Sequence, residues 1–230
     1  TGLDMVGSQV AFLTYGVAGR LGKMMAGLLL LATPVMADDV TVLALGDSLT
    51  QGFGLPEPDG FVPQLQRWLD TQGIEATLIN AGVSGDTTAG GAARVAWSLT
   101  PEVDAMIVNL GANDMLRGLD PAQARDNIET ILKVAETEDI RVLLVAMPAP
   151  GNYGPDYKQD FDALYPELAQ AYGTLFFDNF FKGLGSDDLA ELRAYFQNDG
   201  IHPNADGVAR IVEALGPSVA ELVQASASVE

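Results

Sequence analysis

Between residues 40 and 223, the apolar and polar positions of this chain follow two patterns. Short apolar stretches rich in β-branched side chains are typical of buried strands. The longer stretches between them repeat apolar residues at the spacing of a helix that is buried on one face. We predict strands over residues 40–45, 75–80, 104–110, 140–147 and 174–177. We predict helices over residues 61–72, 88–99, 121–138, 161–172 and 205–223, the last with a bend or break at Gly216 and Pro217.

This alternation of strands and helices predicts the fold class. Helical connections of this length join parallel strands and cover both faces of the resulting sheet. Right-handed crossovers then give a three-layer α/β/α sandwich with a mainly parallel sheet. The composition shows no break and no internal repeat, so we expect one domain over residues 38–230.

Residues 1–37 differ from the rest of the chain and have the layout of a secretory signal peptide. Arg20 and Lys23 precede an apolar stretch over residues 24–35, and the small-residue pattern that follows ends at Ala37. The stretch is shorter than the roughly 20 apolar residues that a membrane-spanning helix needs. We therefore expect cleavage after Ala37, export to a bacterial periplasm and no stable membrane anchor.

The composition excludes several classes of partner and site. The formal charge of −19 is opposite to what a nucleic-acid partner requires, because a phosphate backbone is bound by Lys and Arg. The same charge disfavours docking on anionic lipid. The chain contains no cysteine, which excludes a disulfide, a thiolate metal site and a cysteine nucleophile.

Chemically useful residues occur at the point where each predicted strand ends. The first strand is followed by Asp47 and Ser48, the second by a loop with Gly85, and the third by residues 111–114, which include Asn113. The carboxyl ends of parallel strands share one edge of the sheet, and open α/β folds bind their ligands there. A hydroxyl, glycine amides and an amide side chain together suit acyl transfer, which needs a nucleophile and hydrogen-bond donors for an oxyanion.

The component still missing is a general base, and the chain has a single histidine, His202. Asp199 lies three residues earlier, and Gly200 allows the tight turn that brings its carboxylate to the imidazole. The loop precedes the last helix, whose beginning belongs at the same edge of the sheet. A lone histidine is more often a surface or core residue, and the segment around Ser48 could simply cap a turn, so these interpretations stay open at this point.

Four motifs in this order resemble the sequence blocks of the GDSL, or SGNH, hydrolases. They are Gly46-Asp47-Ser48-Leu49, Ser84-Gly85-Asp86-Thr87, Gly111-Ala112-Asn113-Asp114 and Asp199-Gly200-Ile201-His202-Pro203. The resemblance is nearest to the branch of periplasmic multifunctional thioesterases, lysophospholipases and arylesterases. It implies a flavodoxin-like sandwich with a five-stranded parallel sheet. One departure is Ala112, where close relatives often have glycine.

The chemistry of the motifs and the resemblance assign the same roles to the same residues. Ser48 is the expected nucleophile, His202 the general base and Asp199 the residue that orients the imidazole. The expected oxyanion hole consists of the backbone N–H groups of Ser48 and Gly85 and the side-chain amide of Asn113. This mechanism requires no metal and no cofactor.

The expected substrate is a small-molecule carboxylic ester or thioester, hydrolysed by a monomer through an acyl-enzyme intermediate. By resemblance Leu110, Leu116 and Tyr153 would shape a groove for the acyl chain, although ordinary core packing is the preferred interpretation of the two leucines. Members of this branch accept aryl esters, acyl thioesters and lysophospholipids, so the sequence does not identify the natural substrate. The alternative within the family is an O-acetylesterase that acts on sugars or cell-wall polymers.

Other classes of function fit parts of the sequence less well. A metal-dependent hydrolase could use Asp47, Asp86, Asp114 and His202, because carboxylates suit Mg²⁺, Ca²⁺ or Mn²⁺. The simpler interpretation of Asp47 and Asp114 is structural, as partners of loop amides. A catalytically silent binding module would normally lack Ser48 or His202, and both are present. A nucleotide site is disfavoured because the first loop has neither the GxGxxG spacing nor a GK[ST] ending.

Overall fold

The computed structural model of the protein describes residues 39–185 and 189–227. The predicted signal peptide lies outside these ranges, so its cleavage stays a prediction. Within the described ranges, none of the helices has both the length and the apolar character needed to cross a membrane.

A parallel sheet forms the centre of the fold. Within the part of the chain that the structure describes, its five strands are β1 Val40–Gly46, β2 Ala76–Gly82, β3 Ala105–Asn109, β4 Arg141–Val145 and β5 Leu175–Phe177. Each strand pairs with its neighbours in parallel, in the order β2-β1-β3-β4-β5. This is the flavodoxin-like order. The predicted parallel sheet is therefore confirmed, with strand ends displaced by a residue or two.

Helices cover both faces of this sheet. In the described ranges they are α1 Ser48–Gln51, α2 Phe61–Gln72, α3 Thr88–Ser98, α4 Ala112–Leu116, α5 Pro121–Thr137, α6 Pro155–Tyr172, α7 Leu189–Arg193 and α8 Ala205–Ser226. Short 3₁₀ helices span Glu57–Asp59, Gly151–Tyr153 and Lys182–Leu184. Helix α2 packs against α8, and α5 packs against both α3 and α6. These two groups form the outer layers of the predicted α/β/α sandwich.

The last helix is longer than predicted and is not interrupted. Helix α8 continues through Gly216 and Pro217 to Ser226, so the predicted break is wrong. A proline inside a helix removes one backbone hydrogen bond. Here the buried side chains of Leu215 and Val219 lie on both sides of that position, and we attribute the continuity of the helix to their burial in the core.

The side chain of Gln66 covers the outer edge of β2, which is an edge strand of the sheet. Its Nε2 donates a hydrogen bond to the carbonyl of Ala76 (2.8 Å), and its Oε1 accepts one from the N–H of Leu78 (2.9 Å). Unpaired edge groups are ready sites for association with another strand. Gln66 satisfies two of them, near the amino end of β2.

Candidate active site

Ser48 is the first residue of α1, and one residue, Asp47, separates it from the end of strand β1. Asp47 caps this helix, because its Oδ1 accepts a hydrogen bond from the N–H of Leu49 (3.0 Å). The turn leaves no room for a side chain at Gly46, where a Cβ would overlap the hydroxyl of Thr50. Ser48 therefore lies at the carboxyl end of β1, as the sequence predicts, on a short helix that the sequence analysis did not predict.

The imidazole of His202 lies between the hydroxyl of Ser48 and the carboxylate of Asp199. Its Nε2 is 2.9 Å from the Ser48 Oγ, and its Nδ1 is 2.7 Å from the Asp199 Oδ2. The other carboxylate oxygen, Oδ1, accepts hydrogen bonds from the N–H groups of Ile201 (2.9 Å) and His202 (3.0 Å). Gly200 has a φ of 69° at the turn, a conformation that favours glycine. The loop thus fixes the carboxylate against the ring that it faces.

These hydrogen bonds keep Asp199 ionised. The bond to the His202 ring, followed by the backbone N–H groups of Ile201 and His202, lowers the pKa of Asp199 from an ordinary 3.8 to about 2. A carboxylate that accepts several hydrogen bonds favours its charged form. At neutral pH the imidazole therefore faces a negative charge on one side and a hydroxyl on the other.

Three groups of potential hydrogen-bond donors lie around the same cavity as Ser48. They belong to Ser48 itself, to Gly85 and to Asn113. Within the part of the chain that the structure describes, the backbone N–H groups of Ser48 and Gly85 donate to no protein acceptor. The Asn113 Nδ2 donates to the Asp47 Oδ2 (3.2 Å), which fixes the orientation of that amide.

Asp47 links the nucleophile segment to α4. It is 1% exposed and accepts from Leu49 with one oxygen and from Asn113 with the other. Burial raises the pKa of Asp47 from 3.8 to about 6, an effect that these two hydrogen bonds partly offset. The contacts match the structural role that the sequence analysis gave to this residue.

The loop that carries Gly85 is held from two sides by arginines. The Arg117 Nη2 donates to the carbonyl of Gly85 (2.8 Å). On the other side, the Arg94 Nε donates to the carboxylate of Asp86 (2.8 Å), and the Arg94 Nη2 donates to the carbonyl of Gly46 (2.9 Å). The loop is therefore tied both to the end of β1 and to the residue that follows α4.

A mainly apolar cavity of about 490 Å³ opens beside the Ser48 hydroxyl. This volume lies within the usual range for small-molecule sites. Its apolar lining is formed by Leu49, Phe53, Ala112, Met115, Leu116, Met147, Phe181, Phe196 and Ile201. The cavity can hold the apolar part of a bound molecule, with the carbon that reacts close to the Ser48 hydroxyl.

The three residues predicted to contact an acyl chain lie in different places. Leu116 lines the cavity and is 49% exposed. Leu110 is fully buried in the core and is not part of the cavity wall, because its side chain packs against the Cα of Gly91 on α3. We therefore remove Leu110 from the substrate-contacting set. Tyr153 is not part of the wall; its hydroxyl donates a hydrogen bond to the backbone carbonyl of Leu116 (3.2 Å).

The sequence analysis missed several wall residues. Phe53 packs its ring on the imidazole of His202, with 4.6 Å between ring centroids. Phe53 and Ile201 lie next to the serine and histidine motifs, so their position along the chain could have indicated them. Phe196 lies three residues before the histidine motif, whereas Met147 and Phe181 come from segments without a motif and no local signal marks them.

The carboxylates of the metal-dependent alternative are engaged in separate contacts. Asp47 bonds to Leu49 and Asn113, Asp86 to Arg94, and Asp114 to the N–H and hydroxyl of Thr88. Among the described residues, no group of three or more His, Asp and Glu side chains is arranged to hold a metal ion. The geometry therefore gives no support to that alternative.

A comparison with protein families decides the assignment. The profile of the GDSL-like Lipase/Acylhydrolase family matches residues 44–210. The chain belongs to this family. The prediction of a GDSL-type hydrolase is thus confirmed.

Relatives of known name agree with this membership. Esterase TesA of Pseudomonas aeruginosa is 36% identical over 184 residues, which cover 80% of this chain and 89% of the relative. Thioesterase 1/protease 1/lysophospholipase L1 of Escherichia coli K12 is 32% identical over 80% of this chain and 85% of its own length. The crystal structure of AlinE4, an SGNH-hydrolase family esterase, superposes with a TM-score of 0.66 at 40% identity, covering 80% of this chain and 96% of AlinE4. The predicted SGNH-hydrolase fold is confirmed.

Proposed function

We propose that this GDSL-family hydrolase cleaves carboxylic esters and thioesters with Ser48 as nucleophile, His202 as general base and Asp199 as the orienting carboxylate. The observation that supports it is one continuous set of contacts beside an apolar cavity. The hydroxyl lies 2.9 Å from Nε2, and Nδ1 lies 2.7 Å from the carboxylate. Both are hydrogen-bonding distances; the first allows transfer of a proton from the serine to the histidine, and the second lets the carboxylate orient the ring.

In the acylation step, the Ser48 Oγ forms a bond to the carbonyl carbon of the substrate while its proton moves to the His202 Nε2. The carbonyl π electrons move to oxygen and give a tetrahedral oxyanion. When the carbon–oxygen or carbon–sulfur bond of the leaving group breaks, Nε2 returns the proton to the departing alcohol or thiol. Asp199 stabilises the positive charge that the ring carries in between.

In the deacylation step, water replaces Ser48 as the attacking group. His202 removes a proton from the water as it attacks the acyl carbon, and then returns a proton to the Ser48 Oγ. The products are the carboxylic acid and the free enzyme. The sequence of steps requires no redox or metal chemistry.

The oxyanion is proposed to accept hydrogen bonds from the backbone N–H groups of Ser48 and Gly85 and from the Asn113 side chain. Support comes from the two N–H groups, which have no protein acceptor within the described residues. Asn113 is held by Asp47 before substrate arrives. Donors that are already oriented need little reorganisation when charge develops, which is the basis of oxyanion stabilisation.

The substrate class is proposed to be small-molecule esters and thioesters with an apolar acyl group, including aryl esters and lysophospholipid-type esters. The apolar wall of the cavity supports this proposal, as do the names of the relatives, an esterase and a thioesterase/lysophospholipase. We expect kcat/KM for p-nitrophenyl esters to rise from acetate to longer chains, by up to about fourfold for each methylene that is buried. A sharp preference for acetate would instead favour the O-acetylesterase alternative.

The enzyme is further proposed to be an exported monomer. The basic and apolar pattern of residues 1–37 supports export and cleavage after Ala37. Expression of the full chain in a Gram-negative host, followed by amino-terminal sequencing of the periplasmic protein, tests both points. Sedimentation analysis of the same sample tests the monomeric state.

Ser48→Ala is the decisive test of the mechanism. We expect ester hydrolysis to fall by roughly 10⁴- to 10⁶-fold, because the nucleophile is lost while the fold is kept. We also expect a p-nitrophenyl phosphonate to label the wild-type protein once per chain and to leave the variant unlabelled. A purified variant that retains more than a hundredth of the wild-type rate would exclude Ser48 as the nucleophile.

A further inference from the structure

The proposed nucleophile and the proposed base come from distant parts of the chain. Ser48 and His202 are 154 positions apart, and the hydroxyl–imidazole contact of 2.9 Å depends on how two loops are held together. One loop, residues 52–55, follows α1. The other, residues 197–203, carries Asp199 and His202. The side chain of Gln197 joins these two loops.

The amide of Gln197 bonds to both loops at once. Its Nε2 donates to the carbonyl of Phe53 (2.8 Å), across 144 positions of the chain, and to the carbonyl of Pro203 (3.0 Å). Its Oε1 lies against Gly54, whose φ is 75° and where a Cβ would overlap that oxygen. The amide is therefore fixed by contacts on the serine side and on the histidine side.

The backbone of Gln197 extends this connection. Its N–H donates to the carbonyl of His202 (2.8 Å), and its carbonyl accepts from the N–H of Gly200 (3.0 Å). On the serine side, the N–H of Phe53 donates to the carbonyl of Ser48 (3.1 Å). Hydrogen bonds therefore link the Ser48 carbonyl to the His202 carbonyl through Phe53 and Gln197 alone.

The same connection places an aromatic ring on the base. Gln197 fixes the carbonyl of Phe53, and the ring of Phe53 packs on the His202 imidazole. A displacement of the loop over residues 52–55 would therefore change the contact between this ring and the imidazole. Gln197 itself is not part of the cavity wall, so it has no direct contact with a substrate in that cavity.

We infer that Gln197 is a positioning residue for the hydrolysis, and that its two hydrogen bonds set the distance between the Ser48 hydroxyl and the His202 imidazole. This inference rests on the roles proposed for Ser48 and His202. Without the amide, the backbone of the two loops is unchanged, but the side-chain hydrogen bonds that fix the distance between the loops are lost. A misplacement of about 1 Å can cost on the order of 10²-fold in rate.

The test compares Gln197→Met with Gln66→Met. Each substitution removes an amide of the same size that bonds to two backbone groups, but Gln66 covers the edge of β2 near its amino end. For Gln197→Met we expect kcat per phosphonate-titrated site to fall about 10- to 100-fold with KM changed by less than about threefold. For Gln66→Met we expect wild-type kcat per site, together with a loss of melting temperature similar to that of Gln197→Met.

The single histidine of the chain gives a second readout that stability alone does not change. In a ¹⁵N-labelled sample, every imidazole signal belongs to His202, so no assignment is needed. We expect Gln197→Met to shift these signals and Gln66→Met to leave them in place. If Gln197→Met does not fold, Gln197→Asn replaces it, because the shorter amide keeps the polarity but cannot reach both carbonyls.

The outcomes separate this inference from the proposed function. If Ser48→Ala and His202→Ala are inactive while Gln197→Met and Gln197→Asn keep kcat within twofold of wild type, the positioning role is wrong and the proposed function stands. If kcat per site falls equally in Gln197→Met and Gln66→Met, the positioning role is also wrong. Substantial activity in Ser48→Ala would instead overturn the proposed function.

Discussion

The two halves of the proposed site are built in different ways. On the base side, the carboxylate of Asp199 bonds to Ile201 and His202, all within one turn of the chain. On the oxyanion side, Asn113 is held by Asp47 across 66 positions, and Gly85 by Arg117 across 32. The first half is a local structure that a short motif can encode. The second exists only because separate loops meet.

The contacts on the oxyanion side also differ in exposure. The ion pair of Arg94 and Asp86 is mostly buried, with side chains 20% and 14% exposed, whereas the Arg117 side chain reaches the Gly85 carbonyl at the surface. The planar guanidinium lets Arg94 bond to a carboxylate and a carbonyl at once. We therefore expect the base side to be sensitive to its own residues and the oxyanion side to depend on distant ones.

Between the two halves, the larger effect is expected on the base side, from Asp199→Asn. The amide can still accept from the backbone N–H groups, but it presents N–H to the imidazole and favours the wrong tautomer. We expect kcat to fall by about 10⁴-fold, as in other serine hydrolases with this arrangement. Circular dichroism near neutral pH should show the wild-type fold, with a lower melting temperature because the charged hydrogen-bond acceptor is lost. A loss below tenfold would contradict the orienting role of this carboxylate.

On the oxyanion side, Asn113→Ala removes a single proposed donor. We expect kcat to fall by about 10²- to 10³-fold with a small change in KM, because the donor acts on charge that develops in the transition state. Asn127→Ala is the matched control, since it also removes one side-chain amide, which bonds to the hydroxyl of Thr88 (3.0 Å). If the two variants have the same kcat, Asn113 is not a hydrogen-bond donor to the oxyanion.

Asp47, which links the nucleophile segment to α4, is expected to make stability depend on pH. Its pKa is about 6 in the folded protein and 3.8 ordinarily, so the folded state binds the extra proton between about pH 4 and pH 6. The contribution of Asp47 to stability is therefore complete below about pH 4 and is lost as pH rises through about 6. The loss is of the order of 1–3 kcal/mol.

Asp47→Asn tests this dependence, because the amide does not ionise. We expect the unfolding free energy of the wild type minus that of the variant to decrease as pH rises from 4 to 6, and to be constant above 7. Urea denaturation at a series of pH values measures this difference and cancels the titration of the many surface carboxylates. A difference that is flat from pH 4 to 7 would show that burial does not shift this carboxyl group.

The smallest effect is expected from Arg117→Met, which frees the Gly85 carbonyl at the surface. Hydrogen bonds to charged groups are stronger than neutral ones, but exposure weakens them, so we expect kcat to fall by about 3- to 10-fold. Arg125→Met, which removes an exposed partner of Glu167, should leave kcat unchanged. If both variants keep the wild-type kcat, the Gly85 loop is held by Arg94 and its own backbone alone.

The sequence by itself determined the family, the strand and helix alternation and the residues proposed for catalysis. Continuous apolar stretches predict strands such as β3 and β4, because a buried parallel strand is apolar on both faces. The geometry of the histidine motif can be predicted from the sequence, because its hydrogen bonds all join residues between Asp199 and His202. The helices α1 and α4 escaped prediction, since one turn of helix is too short to show a periodic pattern.

Only the tertiary structure decided which side chains surround the chemistry. Leu110 and Leu116 flank the same motif, yet Leu110 lies in the core just after the end of β3 and Leu116 lies on the cavity wall at the end of α4. Gln197 and Arg94 carry no local signal of their contacts, since their partners lie 144 and 48 positions away in Phe53 and Gly46. Such pairs form when the sheet brings strand ends to one edge, and a pattern of neighbouring residues does not encode that meeting.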